Sequence, residues 1–266
     1  MPEAKLDDIE LYYEVEGSQP PYLILLHGLG SDGTSWSVVR PILRKHYCLI
    51  VPDLRGHGRT SSNVRPYTIK QLADDVIALM DYSEIESANI LGSSMGGMVA
   101  QSLGIHYPER VIRLILANSE SFISPRLRRI IENWIFLAEN LGYRSYLENT
   151  IPWVYTESFF NSHEGEIDAR IEELASRSVS AFIQASKAVL EHNVTEDLSR
   201  ISAPTLIISG EFDSIVTNEY SELLHQEIND SQLETISRTG HMAIIEKPDT
   251  FCEIVLDFLV NKPNTK

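Results

Sequence analysis

The segment Gly92-Ser93-Ser94-Met95-Gly96 carries the most pointed chemistry in the chain. It has the form Gly-x-Ser-x-Gly and lies between an apolar run, Ala88 to Leu91, and a stretch of helical character, Met98 to His106. Small residues at both ends permit a tight turn from strand into helix, with Ser94 at the tip and its hydroxyl facing a cleft at the carboxyl end of a sheet. Ser93 occupies the variable position and is the neighbour of the nucleophile. A serine hydroxyl needs an adjacent base. His241 follows Gly240 in a turn after an expected strand, where a side chain can reach across the cleft. His27 precedes the first loop glycine, His57 lies inside Arg55-Gly-His-Gly58, and His46, His106, His163, His192 and His225 fall in peripheral segments. The base in turn needs an acid to fix its tautomer and stabilise the imidazolium. Asp213 is the candidate, just beyond a strand that ends near Gly210, and Glu211 is its local rival. An oxyanion hole of two backbone N–H groups completes such a site and contributes several kcal/mol in typical cases. Met95, after the nucleophile, and Leu29, in His27-Gly28-Leu29-Gly30, are the expected donors. The chain order Ser, Asp, His differs from the trypsin-like and subtilisin-like orders.

These residues need elements that converge. Ile9 to Val15 reads as an early strand, and Tyr22 to Leu26 as an apolar strand buried on both faces, ending at the first glycine turn. Ser35 to Leu43 is expected to start a helix shortened by Pro41. Tyr47 to Pro52 is the next strand, followed by the loop Asp53-Leu-Arg-Gly-His-Gly58. Apolar positions at Ile69, Leu72, Ala73, Val76, Ile77, Leu79 and Met80 form a helical stripe over Thr68 to Tyr82. Arg113 to Ala117, Pro204 to Gly210 and Ser231 to Ile236 are further strands, and a last helix runs from Thr250 to Val260. Alternating strands and helices predict a mostly parallel central sheet flanked by helices. The pattern breaks from Ser121 to Val189, which is helical in character and rich in aromatics. The expected organisation is therefore a core domain from 1–120 and 190–266, with a helical insertion at 121–189.

Composition narrows the function classes. The chain has 266 residues, 43% of them hydrophobic, enough for one large folded domain with an insertion. Twenty-two Lys and Arg against 38 Asp and Glu give a net charge of −16, which argues against nucleic acid and against an anionic membrane surface. Residues 191–260 hold 14 acidic residues against 3 Lys or Arg, so the acidity concentrates outside the insertion and reads as surface solvation. Cys48 and Cys252 cannot build a disulfide framework and are expected as buried small hydrophobes. The first residues, Met-Pro-Glu-Ala-Lys, lack the apolar run of a secretory signal, and no window has the apolar length of a membrane span, so a cytoplasmic location is expected. No metal-spaced cluster, dinucleotide fingerprint or phosphate loop occurs, and no cofactor is expected. The expected partner is a small-molecule ester or lactone. Oligomeric state is not set by any of these features.

Taken together, Leu25-Leu-His-Gly-Leu-Gly30, Asp53-Leu-Arg-Gly-His-Gly58, Gly92-Ser-Ser-Met-Gly-Gly97, Gly210-Glu-Phe-Asp213 and Gly240-His241 make the chain resemble the α/β-hydrolase superfamily over essentially its whole length. The resemblance implies the α/β-hydrolase fold and makes the insertion a helical cap whose aromatics help form an apolar pocket. Within the superfamily the chain looks most like cap-bearing serine carboxylesterases and 3-oxoadipate enol-lactonases. Meta-cleavage product hydrolases, which cut carbon–carbon bonds, are also similar. Epoxide hydrolases and haloalkane dehalogenases use an aspartate nucleophile, so Ser94 counts against both. Karrikin and strigolactone receptors usually have Ser-Val-Ser or Ser-Val-Gly where this chain has Ser94-Met95-Gly96. Menaquinone-pathway synthases usually have Arg where Met98 stands. The expected function is hydrolysis of a small to medium carboxylic ester through an acyl-enzyme. Enol-lactone or carbon–carbon bond hydrolysis is the alternative on the same residues, and a ligand receptor on a hydrolase scaffold is the alternative of a different class.

Overall fold

A computed structural model describes residues 3–60 and 65–260. Met1 and Pro2, the start of the region without a signal-like run, lie outside the described residues. Among the described residues the eight strands are β1 (Glu3–Lys5), β2 (Glu10–Glu16), β3 (Tyr22–Leu26), β4 (Cys48–Pro52), β5 (Ala88–Ser93), β6 (Val111–Ala117), β7 (Thr205–Gly210) and β8 (Ser231–Ile236). They form one sheet in the order β1-β2-β4-β3-β5-β6-β7-β8. β1 and β2 pair antiparallel, as do β2 and β4, and every later pairing is parallel. The helices are α1 (Arg40–Leu43), α2 (Ile69–Tyr82), α3 (Met95–His106), α4 (Pro125–Leu141), α5 (Tyr143–Val154), α6 (Glu157–Leu174), α7 (Val179–Leu190), α8 (Asn218–Glu227), α9 (Ala243–Glu246) and α10 (Pro248–Val260). None of the described helices is long and apolar enough to cross a membrane.

The apolar runs work as strands because both faces are covered, so successive side chains enter different cores. Ile24, Leu26, Ile90, Leu114, Leu116 and Ile207 pack with α2, α3 and α8. Leu23, Leu25, Leu91, Ile115, Leu206 and Ile208 pack with Trp36, α1, α9 and α10. Both cysteines are free and buried, as their types predict. The edge strand β8 is exposed at Gln232, Glu234 and Thr235, which keeps its open side polar.

Several boundaries differ from the sequence expectation for local reasons. The stretch Ser35 to Leu43 divides into a 3-10 turn at Gly33–Trp36, capped by Asp32, and the short α1, with Pro41 in its first turn where no N–H is missed. Helix α3 starts at Met95, three residues early, because the chain passes from Ser94 straight into helix. β1 is too short to show periodicity. The polar α8 buries little more than Tyr220, Ser221 and Leu224, too weak a stripe to read in advance. Helices α4 to α7 lie between β6 and β7 and share a cluster of Ala138, Tyr143, Tyr146, Leu147, Ile151, Ile167, Ile171, Leu174 and Phe182.

One buried ion cluster ties the loop after β4 to α2. Arg55 donates from Nε to Asp75 Oδ2 at 2.8 Å and from Nη2 to Asp75 Oδ1 at 2.7 Å, and it makes a second forked pair with Asp8. Arg55 and Asp75 are both buried. Removing one member of such a pair strands the other and costs about 3–5 kcal/mol. Arg55→Met is expected to lower the unfolding free energy by that amount in a urea titration at neutral pH.

Candidate active site

Every chemically pointed residue sits at the carboxyl edge of a parallel strand. Leu29 follows β3, Ser94 follows β5, Asp213 follows β7 and His241 follows β8. β3 lies between β4 and β5, so the chain switches direction across the sheet there, and a cleft opens at such a point.

Ser94 has φ 53° and ψ −120°, an unusual backbone for a residue with a side chain. Its surroundings explain how that is held. A Cβ on Gly92 would lie 2.1 Å from the Gly96 carbonyl oxygen, one on Gly96 would lie 2.0 Å from the Leu26 carbonyl oxygen, and one on Gly97 would lie 2.4 Å from the Ser119 side chain. Gly92 and Gly96 pack against backbone and Gly97 against the Ser119 side chain, and only glycine fits. The Ser94 N–H donates to the Ala117 carbonyl at 2.9 Å, and the Ser119 hydroxyl donates to the Ser94 carbonyl at 2.9 Å. The turn is therefore pinned to the end of β6.

The structure brings Ser94, His241 and Asp213 together. Ser94 Oγ lies 3.1 Å from His241 Nε2, and His241 Nδ1 lies 2.8 Å from Asp213 Oδ2. Asp213 Oδ2 also accepts from Asn118 Nδ2 at 2.9 Å, and its Oδ1 accepts from the Ile215 and Val216 N–H groups, each at 2.9 Å. Four donors fix the carboxylate. Burial disfavours the charged imidazolium of His241, but the adjacent Asp213 charge and hydrogen bond outweigh it, with a smaller contribution from Glu120, and hold the pKa above 6.5. Glu211, the local rival, is exposed and accepts instead from the Arg238 N–H at 2.7 Å.

Leu29 and Met95 also converge here. A Cβ on Gly28 would sit 3.3 Å from Ser94 Cβ, so the loop after β3 passes against the serine. Among the described residues neither the Leu29 nor the Met95 N–H donates to a protein acceptor. Two histidines set aside as candidate bases shape this loop. His27 Nδ1 donates to the Gly28 carbonyl at 2.9 Å while its Nε2 accepts from the Leu54 N–H at 2.9 Å. His57 Nδ1 donates to the Arg55 carbonyl at 3.0 Å while its Nε2 accepts from the Gly30 N–H at 3.2 Å. Each must be neutral to accept, and burial pushes His27 down to about 4 and His57 to about 3.

The residues missed by sequence reasoning are mostly supports. Asn118 and Glu120 close β6, and nothing in their spacing marks them. Glu246 accepts from the Gly240 N–H at 2.7 Å and from the Thr156 hydroxyl at 2.6 Å, linking the His241 turn to the start of α6. The Val154 carbonyl at the end of α5 accepts the His241 N–H at 2.9 Å, using an acceptor that a helix terminus leaves free.

A cavity of about 470 Å³ opens above Ser94 and His241, bounded by Leu29 and by α5 and α6. Of the aromatics in the helical segment, Tyr146, Tyr155 and Phe159 line it, while Tyr143 and Phe182 pack in the cluster beneath. Phe136 and Trp153 are exposed. Among the described residues no group of His, Cys, Asp or Glu has metal-binding geometry. Asp213→Asn removes the charge that opposes burial, so the His241 pKa is expected to fall below 6.5, measured by NMR titration of the imidazole.

Comparison with known proteins agrees with this architecture. The family description "alpha/beta hydrolase fold" matches residues 21–248. The chain is 32% identical to 3-oxoadipate enol-lactonase 2 of Acinetobacter baylyi, over 92% of this chain and 91% of that protein. The solved enol-lactonase of Burkholderia xenovorans LB400 superposes with a TM-score of 0.92 at 27% identity, covering 98% of this chain and all of that one (100%). A thermophilic esterase from Thermogutta terrifontis gives 0.87 at 29% identity, covering 94% and 93%. The sheet order, the turn at Ser94 and the family match together make this chain a member of the α/β-hydrolase fold family, and a hydrolase.

Proposed function

We propose that the protein is a serine hydrolase that cleaves a small to medium carboxylic ester through an acyl-enzyme. The observation that carries this reading is the hydrogen-bonded chain from Ser94 through His241 to Asp213, beside two uncommitted N–H groups. His241 Nε2 takes the Ser94 proton as Oγ attacks the carbonyl carbon. The oxygen becomes an oxyanion between the Leu29 and Met95 N–H groups, where fixed donors stabilise charge without reorganising. Asp213 holds the imidazolium, which passes its proton to the leaving alcohol as the tetrahedral adduct collapses. Water then enters, gives a proton to His241 and attacks the acyl carbon, and Ser94 leaves with that proton restored. The segment 121–189 acts as a cap that supplies much of the wall of the larger cavity.

A lactone is the second reading, favoured by the likeness to enol-lactonases. Among the described residues lining the 470 Å³ cavity, Arg170 is the one Arg or Lys. It already bonds Glu173 at 2.6 Å and the Thr34 hydroxyl at 2.7 Å. A substrate with no net negative charge fits this lining better than a carboxylate-bearing lactone.

Ser94→Ala is expected to abolish turnover of short esters and neutral lactones, assayed side by side, with the circular dichroism spectrum unchanged. Residual turnover equal to the parent would overturn the assignment. Neutral His241 is the competent base, and its pKa is raised. kcat/KM is therefore expected to fall as the pH drops through an acid limb centred above 6.5, read from a pH–rate profile.

A further inference from the structure

A second, smaller chamber of about 70 Å³ adjoins Ser94 and His241, on the side of Met95. It is far smaller than the 470 Å³ cavity and so suits only a short arm of a substrate. Its wall is mostly apolar, with Met98, Leu127, Ile131, Trp134 and Val216 among the lining side chains. Besides Ser94 and His241, the polar side chains of Glu120, Thr150 and Tyr146 interrupt that wall, and all three are buried. Among the described residues, Glu120 Oε2 and Thr150 Oγ1 meet no hydrogen-bond partner. An orphaned buried polar group is destabilising, so two beside one chamber are a standing cost that a ligand can relieve. Neither touches the reacting atoms of the proposed reaction, although Glu120, when ionised, lies close enough to His241 to favour its charged form. The neighbouring polar structure serves other ends, since Gln101 Nε2 bonds the Ser119 hydroxyl and the Glu120 backbone carbonyl.

We propose that this chamber is a subsite for the smaller arm of the substrate, and that it selects an arm bearing an uncharged hydroxyl or keto oxygen, with Glu120 as the specificity-determining residue. The proposal deepens the esterase reading and rests on it for the position of the scissile carbonyl. A cation is the other ligand a carboxyl can hold. The apolar wall disfavours it, and burial pushes the Glu120 carboxyl up to about 8, so near neutral pH it is a protonated donor rather than a counter-ion. As an acid it can donate to a ligand oxygen and still accept, and Thr150 can do the same. The Glu120 role is that of a binding group.

The test uses Ser94→Ala protein, which holds esters without cleaving them, at pH 7 with binding followed by NMR. Each probe has one bulky arm that cannot enter 70 Å³. Benzyl lactate is compared with benzyl propanoate, and 2-hydroxyethyl phenylacetate with ethyl phenylacetate. In at least one pair the hydroxylated ester is expected to bind about fivefold tighter, the order that one net hydrogen bond supplies. Glu120→Leu in the same background is expected to bring that ratio within about twofold, while Glu120→Gln keeps most of it. Equal affinities in both pairs overturn the proposal without any Glu120 variant. So does a preference unchanged in Glu120→Leu, or tighter binding of benzyl alaninate, the cationic analogue, than of benzyl lactate. Ser94-dependent turnover with no such preference defeats this inference alone. A preference without Ser94-dependent turnover in the parent protein defeats the esterase reading alone.

Discussion

The site depends on one steric constraint, the close approach of backbones around Ser94. Gly96 lies against the end of β3, Gly97 against Ser119 after β6, and Gly92 against Gly96 across the turn. These approaches leave no room for a Cβ and force the chain to pass from strand to helix within one residue. Ser94 takes the positive φ, and the Ala117 carbonyl and Ser119 hydroxyl hold it there. Strain of this kind persists only where the surroundings over-determine it. Because α3 begins immediately afterwards, the Met95 N–H is left without an intrahelical partner, beside the chamber that Leu29 also lines.

The parallel sheet converts this local constraint into a site. β3, β5, β6, β7 and β8 are neighbours that all end on one edge, so residues separated by more than two hundred positions meet within a few ångströms. Each strand end is then fixed by polar bonds suited to its task. The loop carrying Leu29 is held by two neutral histidines, whose depressed pKa values keep them acceptors across the ordinary pH range. Asp213 is held by four donors and is available in one orientation to His241. His241 itself experiences the opposite balance from His27 and His57. All three are buried, but only His241 has a carboxylate bonded to its ring, and only its pKa is raised.

The helical segment between β6 and β7 contributes to the same site through backbone as well as side chains. The end of α5 receives the His241 N–H, and Glu246 joins Gly240 to Thr156. Arg177 donates to the Gly30 carbonyl at 2.7 Å, and it also pairs with Asp32. Shifts of these helices would therefore bear on both His241 and the loop carrying Leu29. The net charge of −16 has little part in this. The cavities beside Ser94 are lined mainly by apolar groups, and Arg170 at the larger one pairs with Glu173 and Asp32.

The sequence by itself determined the strands, the fold and the short list of reactive residues. Apolar runs that end in glycines can only be strands buried on both faces, and Gly-x-Ser-x-Gly between strand and helix constrains a turn whose sterics are local. The strands ending near Gly210 and Ile236 were legible, and with them the candidacy of Asp213 and His241, while the pairing of β7 with β8 came from the tertiary structure. Only the tertiary structure decided that Glu211 faces away, that His27 and His57 are scaffolding, and that Asn118 and Glu120 approach the site. Their roles depend on side-chain direction after a strand end and on distances between segments far apart in the chain, and neither leaves a periodic mark. The same holds for the aromatics of 121–189. Their number is visible in sequence, but which of them line a cavity, which pack and which face solvent is set by how four helices settle against one another.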